Sequence, residues 1–257
     1  MLKKFFVALI VGLLVMNTQI AAAEDYDWSQ APRIGTKDEF VRYVENERRK
    51  GNTTFHVILT AQRLKGEELG YIIPCLDVNG TCNYMYDGTT RINCTITEYP
   101  GTRVANAYLR GDRNGLTQEE LQLYNAAVEI VNAARKYSTP TDRARYLHDE
   151  VLKRTIFEEG RETAIDALVC GKANCEGYAD SFYMLGRMAG LNVGRIGGYI
   201  NDGATGHAWN WLELNGKAYC VDVTLDDIFY SYDWFKATKE RMQKTHQCDW
   251  AVIPNLQ

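Results

Sequence analysis

The chain has 257 residues, 46% of them hydrophobic and 24% charged, with a formal net charge of −4. That length suffices for a sizeable core, built as one large domain or as one domain with a smaller companion. The acidic balance argues against a nucleic-acid binder, and the arginine pairs Arg48-Arg49 and Arg143/Arg145 stand close to acids and read as solvated helix faces.

The N-terminus runs Met1-Leu2-Lys3-Lys4, then apolar from Phe5 to Met16, then polar to Ala21-Ala22-Ala23 before Glu24. Basic start, apolar middle and small-residue end are the order of a secretory signal peptide, expected over residues 1–23. The apolar run is shorter than the roughly 20 residues that span a bilayer, so no stable membrane anchor is expected after cleavage. The expected location is therefore secreted, extracytoplasmic. Seven cysteines in an exported chain predict disulfides and, because the count is odd, one thiol left over.

Thr36-Lys37-Asp38-Glu39 has the form of a capping box and opens a helix that should run to Lys50 and stop at Gly51. Strands are expected from Thr54 to Ala61, Gly70 to Cys75 and Thr89 to Thr97, with Asn79-Gly80 as a hairpin turn. Residues 24–112 thus read as a small N-terminal mixed α/β region. Near Gly111 to Gly115 the texture changes, and residues 113–257 read as a second, catalytic domain. Its first helix follows the box Thr117-Gln118-Glu119-Glu120, and another starts near Pro140 with Leu147, Val151 and Leu152 on one face. His148, on that helix, is expected to be a surface or packing residue.

A third helix begins at Cys175, with Asn174 as its N-cap, and runs through Tyr178, Phe182, Leu185 and Met188 to Gly190. Strands are then expected from Val193 to Ile200, His207 to Leu214 and Lys217 to Thr224, the last two joined by Asn215-Gly216. An Asn-Gly pair between alternating strands signals a two-residue hairpin. Leu214 then faces Lys217, His207 faces Thr224, and His207 and Asp222 become diagonal neighbours on one face, about 7–8 Å apart at the backbone.

These placements assign chemistry. A helix start and a nearby imidazolium favour the thiolate of Cys175, which is the nucleophilic form. His207 would take the thiol proton and return it to the leaving group, while Asp222 would fix the imidazole tautomer. The backbone N–H of Cys175 would donate one oxyanion hydrogen bond. Taken singly, such a cysteine, histidine and aspartate are by default a disulfide partner, a packing residue and a turn residue. Only their joint placement points to catalysis.

Gly171-Lys172-Ala173-Asn174-Cys175-Glu176-Gly177-Tyr178-Ala179, Gly206-His207-Ala208-Trp209-Asn210 and Val221-Asp222-Val223-Thr224-Leu225-Asp226-Asp227 together resemble the nucleophile, histidine and aspartate motifs of the transglutaminase-like superfamily, particularly its exported bacterial members. The resemblance covers about Leu116 to Asp227. It implies an α+β fold with a papain-like core, in which the nucleophile helix packs on an antiparallel sheet, and it implies a Cys-His-Asp triad. Leu225 and Ala218 stand where family members often carry tryptophan and another aromatic residue, which suggests a thinned cleft wall. Trp209, Trp211 and Tyr219 are either cleft residues or cross-strand packing. Asp226-Asp227 is read as a turn, Cys170 as a candidate partner in a local disulfide with Cys175, and His246 and Cys248 as structural.

The expected function is a cysteine peptidase or amidase acting through a thioester acyl-enzyme on a protein or peptide substrate, with cell-wall peptide among the candidates. A protein-glutamine transglutaminase and a silent binding or scaffold domain are the alternatives. No zinc spacing, calcium loop or phosphate-cradling motif occurs, so no cofactor and no metal are expected.

Overall fold

The computed structural model describes residues 26–257 apart from 51, 61–77, 97, 202, 254 and 257. The expected signal peptide, the expected strand from Gly70 to Cys75, and Cys75 itself lie outside the described residues. Among the described residues, no helix is long and apolar enough to cross a membrane.

The N-terminal part is a four-stranded sheet with one helix. Strand β1 (Arg33–Ile34) is followed by helix α1 (Lys37–Lys50), β2 (Thr54–Leu59), β3 (Val78–Tyr84) and β4 (Thr90–Ile96), with sheet order β1-β2-β4-β3. The capping box forms as expected: Glu39 N–H donates to Thr36 Oγ1 at 3.2 Å, and Thr36 N–H donates to Glu39 Oε2 at 3.1 Å. Alternation in β4 sends Ile92, Cys94 and Ile96 into a cluster with Phe40, Val44, Phe55, Val57 and Leu59. Asn79-Gly80 is not a turn. Both residues lie inside β3, opposite Thr95 and Cys94. The hairpin closes instead at Met85 to Thr89, where the Asp87 carboxylate accepts the Thr89 N–H at 2.9 Å and Gly88 supplies a φ of 83°.

The remainder is the α+β core. Helices α2 (Pro100–Arg110), α3 (Gln118–Ala134) and α4 (Pro140–Arg154) lead to strand β5 (Ile156–Phe157), helix α5 (Ala164–Leu168), strand β6 (Lys172–Ala173) and helix α6 (Cys175–Met188). Strands β7 (Val193–Ile200), β8 (Thr205–Leu214) and β9 (Lys217–Val221) follow, then helix α7 (Val223–Ile228), strand β10 (Phe235–Ala237), helix α8 (Lys239–Met242) and strand β11 (His246–Gln247). Five of these strands form an antiparallel sheet of order β10-β9-β8-β7-β11. Tyr178, Phe182, Leu185 and Met188 of α6 join Leu123, Ile130, Leu147, Leu212 and Val221 in the main cluster. The alternate residues of the same strands, with Trp209 and Cys220 at their centre, make a second cluster with Trp234, Met242 and Ile253.

The packing break falls earlier than residue 112. Val104 and Ala105 of α2 belong to the main cluster, and Asp180 of α6 accepts the Gly101 N–H at 3.0 Å. The glycine-rich change of texture at 111–115 is a C-cap and a turn inside one packed unit, with Gly111 at φ 68°. None of the described cysteines, 82, 94, 170, 175, 220 and 248, is bridged, so the expected disulfides do not form among them.

Candidate active site

Strand β6 delivers the chain to Asn174, whose side chain accepts the Glu176 N–H at 3.1 Å and so caps α6. Cys175 is the first residue of that helix and is half-buried. A helix's first N–H groups have no acceptor within the helix, so the Cys175 N–H sits beside its own sulfur as a ready donor. A Cβ on Gly177 would come within 2.7 Å of the Ala173 Cβ and 2.8 Å of the Thr163 carbonyl oxygen, so glycine lets this turn pack against the segment that leads into the nucleophile.

The Asn215-Gly216 hairpin forms with φ of 55° and 76°, and Leu214 faces Lys217 as its length requires. Pairing continues only to Asn210 opposite Val221. Strand β9 therefore ends before Thr224, which is helical and does not face His207. Asp222 instead caps α7, its Oδ1 accepting the Leu225 N–H at 3.0 Å. The cap swings its other oxygen toward β8, where Asp222 Oδ2 accepts the His207 Nε2–H at 2.7 Å. That bond takes Nε2 of His207, and the Cys175 thiol is near enough to the imidazole to help raise its pKa. The structure thus brings all three expected residues together.

Burial and charge act in opposition here. Burial pushes His207 down, but the Asp222 carboxylate and the hydrogen bonds to Asp222 and Cys175 outweigh it and raise it to about 10. Burial would also raise Asp222, yet the charge and hydrogen bond of His207, together with His246, hold its carboxyl far below the usual carboxylate range. Glu176, next to the nucleophile, is pushed up mainly by burial, and Tyr99 reaches its carboxyl at 3.5 Å.

His246 was not legible as part of this arrangement. It donates from Nε2 to the same Asp222 Oδ2 at 3.0 Å and is 1% exposed. The ligating atoms of His207, Asp222 and His246 lie within 4.8 Å of one another, a grouping that invites comparison with a metal site. Ligands on a tetrahedral zinc at about 2.05 Å stand about 3.3 Å apart. Separations of 2.7 and 3.0 Å from Oδ2 to the two nitrogens are hydrogen bonds, and they leave no free lone pair on either Nε2.

Other expectations change with the coordinates. His148 is wholly buried, bonding Asp226 at 3.1 Å and Asp149 at 3.0 Å, so it packs and does not face solvent. Asp226 also accepts from Ser231 Oγ and the Trp234 N–H, and Asp227 accepts from Tyr178. The pair therefore anchors α7 rather than forming a simple turn. Ala218 and Leu225 are interior residues of the second cluster and do not wall a cleft. Trp209 is 1% exposed and stacks behind His207, with ring centroids 5.9 Å apart. Cys170 is an exposed free thiol, and Cys248 packs against the second cluster.

A helix-borne cysteine set against an antiparallel sheet that carries the histidine, with the aspartate at the helix cap just past the neighbouring strand, defines a papain-like α+β core. Residues 125–223 match the family model described as the transglutaminase-like superfamily. Among solved structures, the chain is similar to a TGase with 13% identity and a TM-score of 0.38, covering 76% of this chain and 59% of that one. It is also similar to the periplasmic domain of TgpA from Pseudomonas aeruginosa, with 11% identity and a TM-score of 0.39, covering 75% of this chain and 74% of that one. No curated protein matches the chain significantly.

Proposed function

We propose that the protein is an exported cysteine enzyme that hydrolyses amide or peptide bonds through Cys175, His207 and Asp222. The observation that supports this reading is the buried 2.7 Å hydrogen bond from His207 Nε2 to Asp222, on an imidazole that also interacts with the Cys175 thiol at the start of α6. In the forward step the Cys175 sulfur, its proton already held by His207, attacks the substrate carbonyl carbon. The developing oxyanion accepts from the Cys175 N–H. Collapse of the tetrahedral intermediate expels the amine, which takes the proton from His207 and leaves a thioester on Cys175. Water, deprotonated by His207, then releases the acid and regenerates the thiol.

Hydrolysis is favoured over amine transfer because water is in vast excess and transfer requires a site that binds the amine and screens the thioester. Cys175 is only half-buried, and Trp209, 1% exposed, is stacked on the His207 imidazole. The signal-like N-terminus supports export, and a secreted peptide or cell-wall peptide is the substrate class that fits an extracytoplasmic amidase. The test supplies a glutamine-containing protein and a fluorescent primary amine, and follows amine incorporation, ammonia release and peptide cleavage. Cys175-dependent cleavage or ammonia release ahead of incorporation is expected. Incorporation outpacing hydrolysis would make the protein a transglutaminase, and neither activity on a broad peptide library would favour a binding domain.

A further inference from the structure

One buried histidine has no part in the reaction just described. His246 lies on β11, across β7 from the rest of the site, and pairs there with Ile200. Its side chain is fixed from every side. Thr245 Oγ1 lies 2.9 Å from Nδ1. The rings of Trp209 and Trp234 meet the imidazole edge-on, with centroids 4.8 and 5.2 Å away. Trp234 also accepts the Asp222 backbone N–H through its carbonyl at 3.1 Å, and Trp209 stacks on His207. The same two tryptophans therefore locate both histidines and the aspartate between them. The Nε2 of His246 points at an ionised carboxylate oxygen and so bears a proton, which leaves Nδ1 to accept from the Thr245 hydroxyl.

Asp222 consequently accepts three hydrogen bonds in fixed directions: Leu225 N–H on Oδ1, and His207 and His246 on Oδ2. Without the last, only His207 would hold Oδ2, and the carboxylate could turn about its Cβ–Cγ bond as far as the Leu225 bond on Oδ1 allows. Each turn would misalign the imidazole that His207 presents to the thiol. A second donor on Oδ2 also lowers the basicity of that oxygen, so the Nε2 proton stays on His207 while the thiol proton arrives at the ring's other nitrogen.

We propose that His246 is a positioning residue, which holds the Asp222 carboxylate in line with His207 and keeps it a pure acceptor throughout the reaction. This rests on the triad reading above. No proton reaches Asp222: the Cys175 proton moves to His207 and from there to the leaving amine, and His246 keeps its own.

The experiment follows carbamidomethylation of Cys175 by iodoacetamide, read by mass spectrometry from pH 6 to 10.5, in the wild type and the His207→Ala, His246→Phe and His246→Gln variants. At pH 7, His246→Phe should label about 10-fold more slowly, the scale on which partners that orient a working residue act. His246→Gln should stay within about threefold of the wild type, because its amide N–H reaches the same oxygen. The difference should close above pH 10, where His207 has lost its proton. A slowing that persists unchanged at all pH values, or that glutamine does not rescue, would show a merely structural role and overturn the proposal. Labelling of His246→Phe at the wild-type rate, with His207→Ala slow, would also overturn it while leaving the triad intact. Wild-type labelling in His207→Ala would instead sink the triad reading itself. Should His246→Phe fail to fold, nitrogen-15 histidine spectra of the wild type decide: protonated Nε2 with unprotonated Nδ1 on His246 is expected, and the opposite tautomer overturns the proposal.

Discussion

Asp222 caps helix α7 through Leu225 at 3.0 Å with the one oxygen that it does not offer to His207. The residue that orients the imidazole is thus also the residue that starts the next helix, and the two roles can be separated by substitution. Asparagine is as good an N-cap as aspartate, so Asp222→Asn should keep the fold. Its amide cannot match the carboxylate as a charged acceptor, so turnover should fall at least about 100-fold, as when the orienting acid of a triad is neutralised. Asp222→Ala loses the cap as well and leaves two histidines unpartnered, at a cost of roughly 3 kcal/mol or more. Melting curves beside activity assays check both variants, and equal melting losses in the two would contradict the separation.

The site should make stability depend on pH on the alkaline side. His207 binds its proton more tightly in the folded protein, where it is raised to about 10, than in the unfolded chain, where an ordinary histidine titrates near 6.5. Its contribution is fully present below about 6.5 and is lost as pH rises through 10. Asp222 behaves in the opposite sense: its contribution is present above the usual carboxylate range and is lost in acid. Denaturant unfolding of the wild type and His207→Ala between pH 6 and 10.5 should give a stability difference that shrinks with rising pH. A constant difference would contradict the coupling.

Gly198 stands opposite His207 in the β7–β8 ladder, and a Cβ there would fall 2.3 Å from the Gln247 carbonyl oxygen and 2.5 Å from the Trp209 ring. Neither neighbour can yield, since one is backbone and the other is sealed in the second cluster. Gly198→Ala should therefore cost about 1–3 kcal/mol, the range for overpacking a filled core, and should lower activity by pushing β11 and Trp209 away from the site. A variant that melts and turns over like the wild type would show that the contact is not needed.

His148 supplies a stability test remote from the thiol. Burial opposes its protonation, but the hydrogen bonds to Asp149 and Asp226 outweigh burial and raise it. His148→Leu leaves the buried Asp226 with its Ser231 and Trp234 donors only. A loss of about 3 kcal/mol is expected, measured by denaturant titration. A neutral result would mean that those two donors suffice.

What the sequence made legible was local. Asn215-Gly216 set a register that the structure keeps for five opposed pairs, and Asn174 and Thr117 announced the helices they cap. The same Asn-Gly dipeptide misleads at Asn79-Gly80, because β4 offers that stretch a complete ladder and Asp87, further along the chain, closes a better turn. Strand β9 was read too long because Asp222 fits a strand pattern and a helix cap equally well, and the free Leu225 N–H decided between them. His246 escaped because it enters the sheet beside β7, on the edge far from β9, and no spacing in the chain encodes that crossing. Ala218 and Leu225 passed for cleft residues because alternation identifies a face and not what covers it; here the covering is Trp234, Met242 and Ile253.

The central claim is that Cys175, His207 and Asp222 form one reactive unit, and the most direct test is competitive alkylation of the native protein near neutral pH with a substoichiometric thiol reagent, followed by peptide mapping of every cysteine. Among the described cysteines, exposure alone would favour Cys170. The triad predicts that half-buried Cys175 is modified first, and that His207→Ala abolishes this preference while Asp222→Asn weakens it. Preferential modification of Cys170 over Cys175, or recovery of Cys175 in a stable disulfide from folded secreted material, would contradict the account.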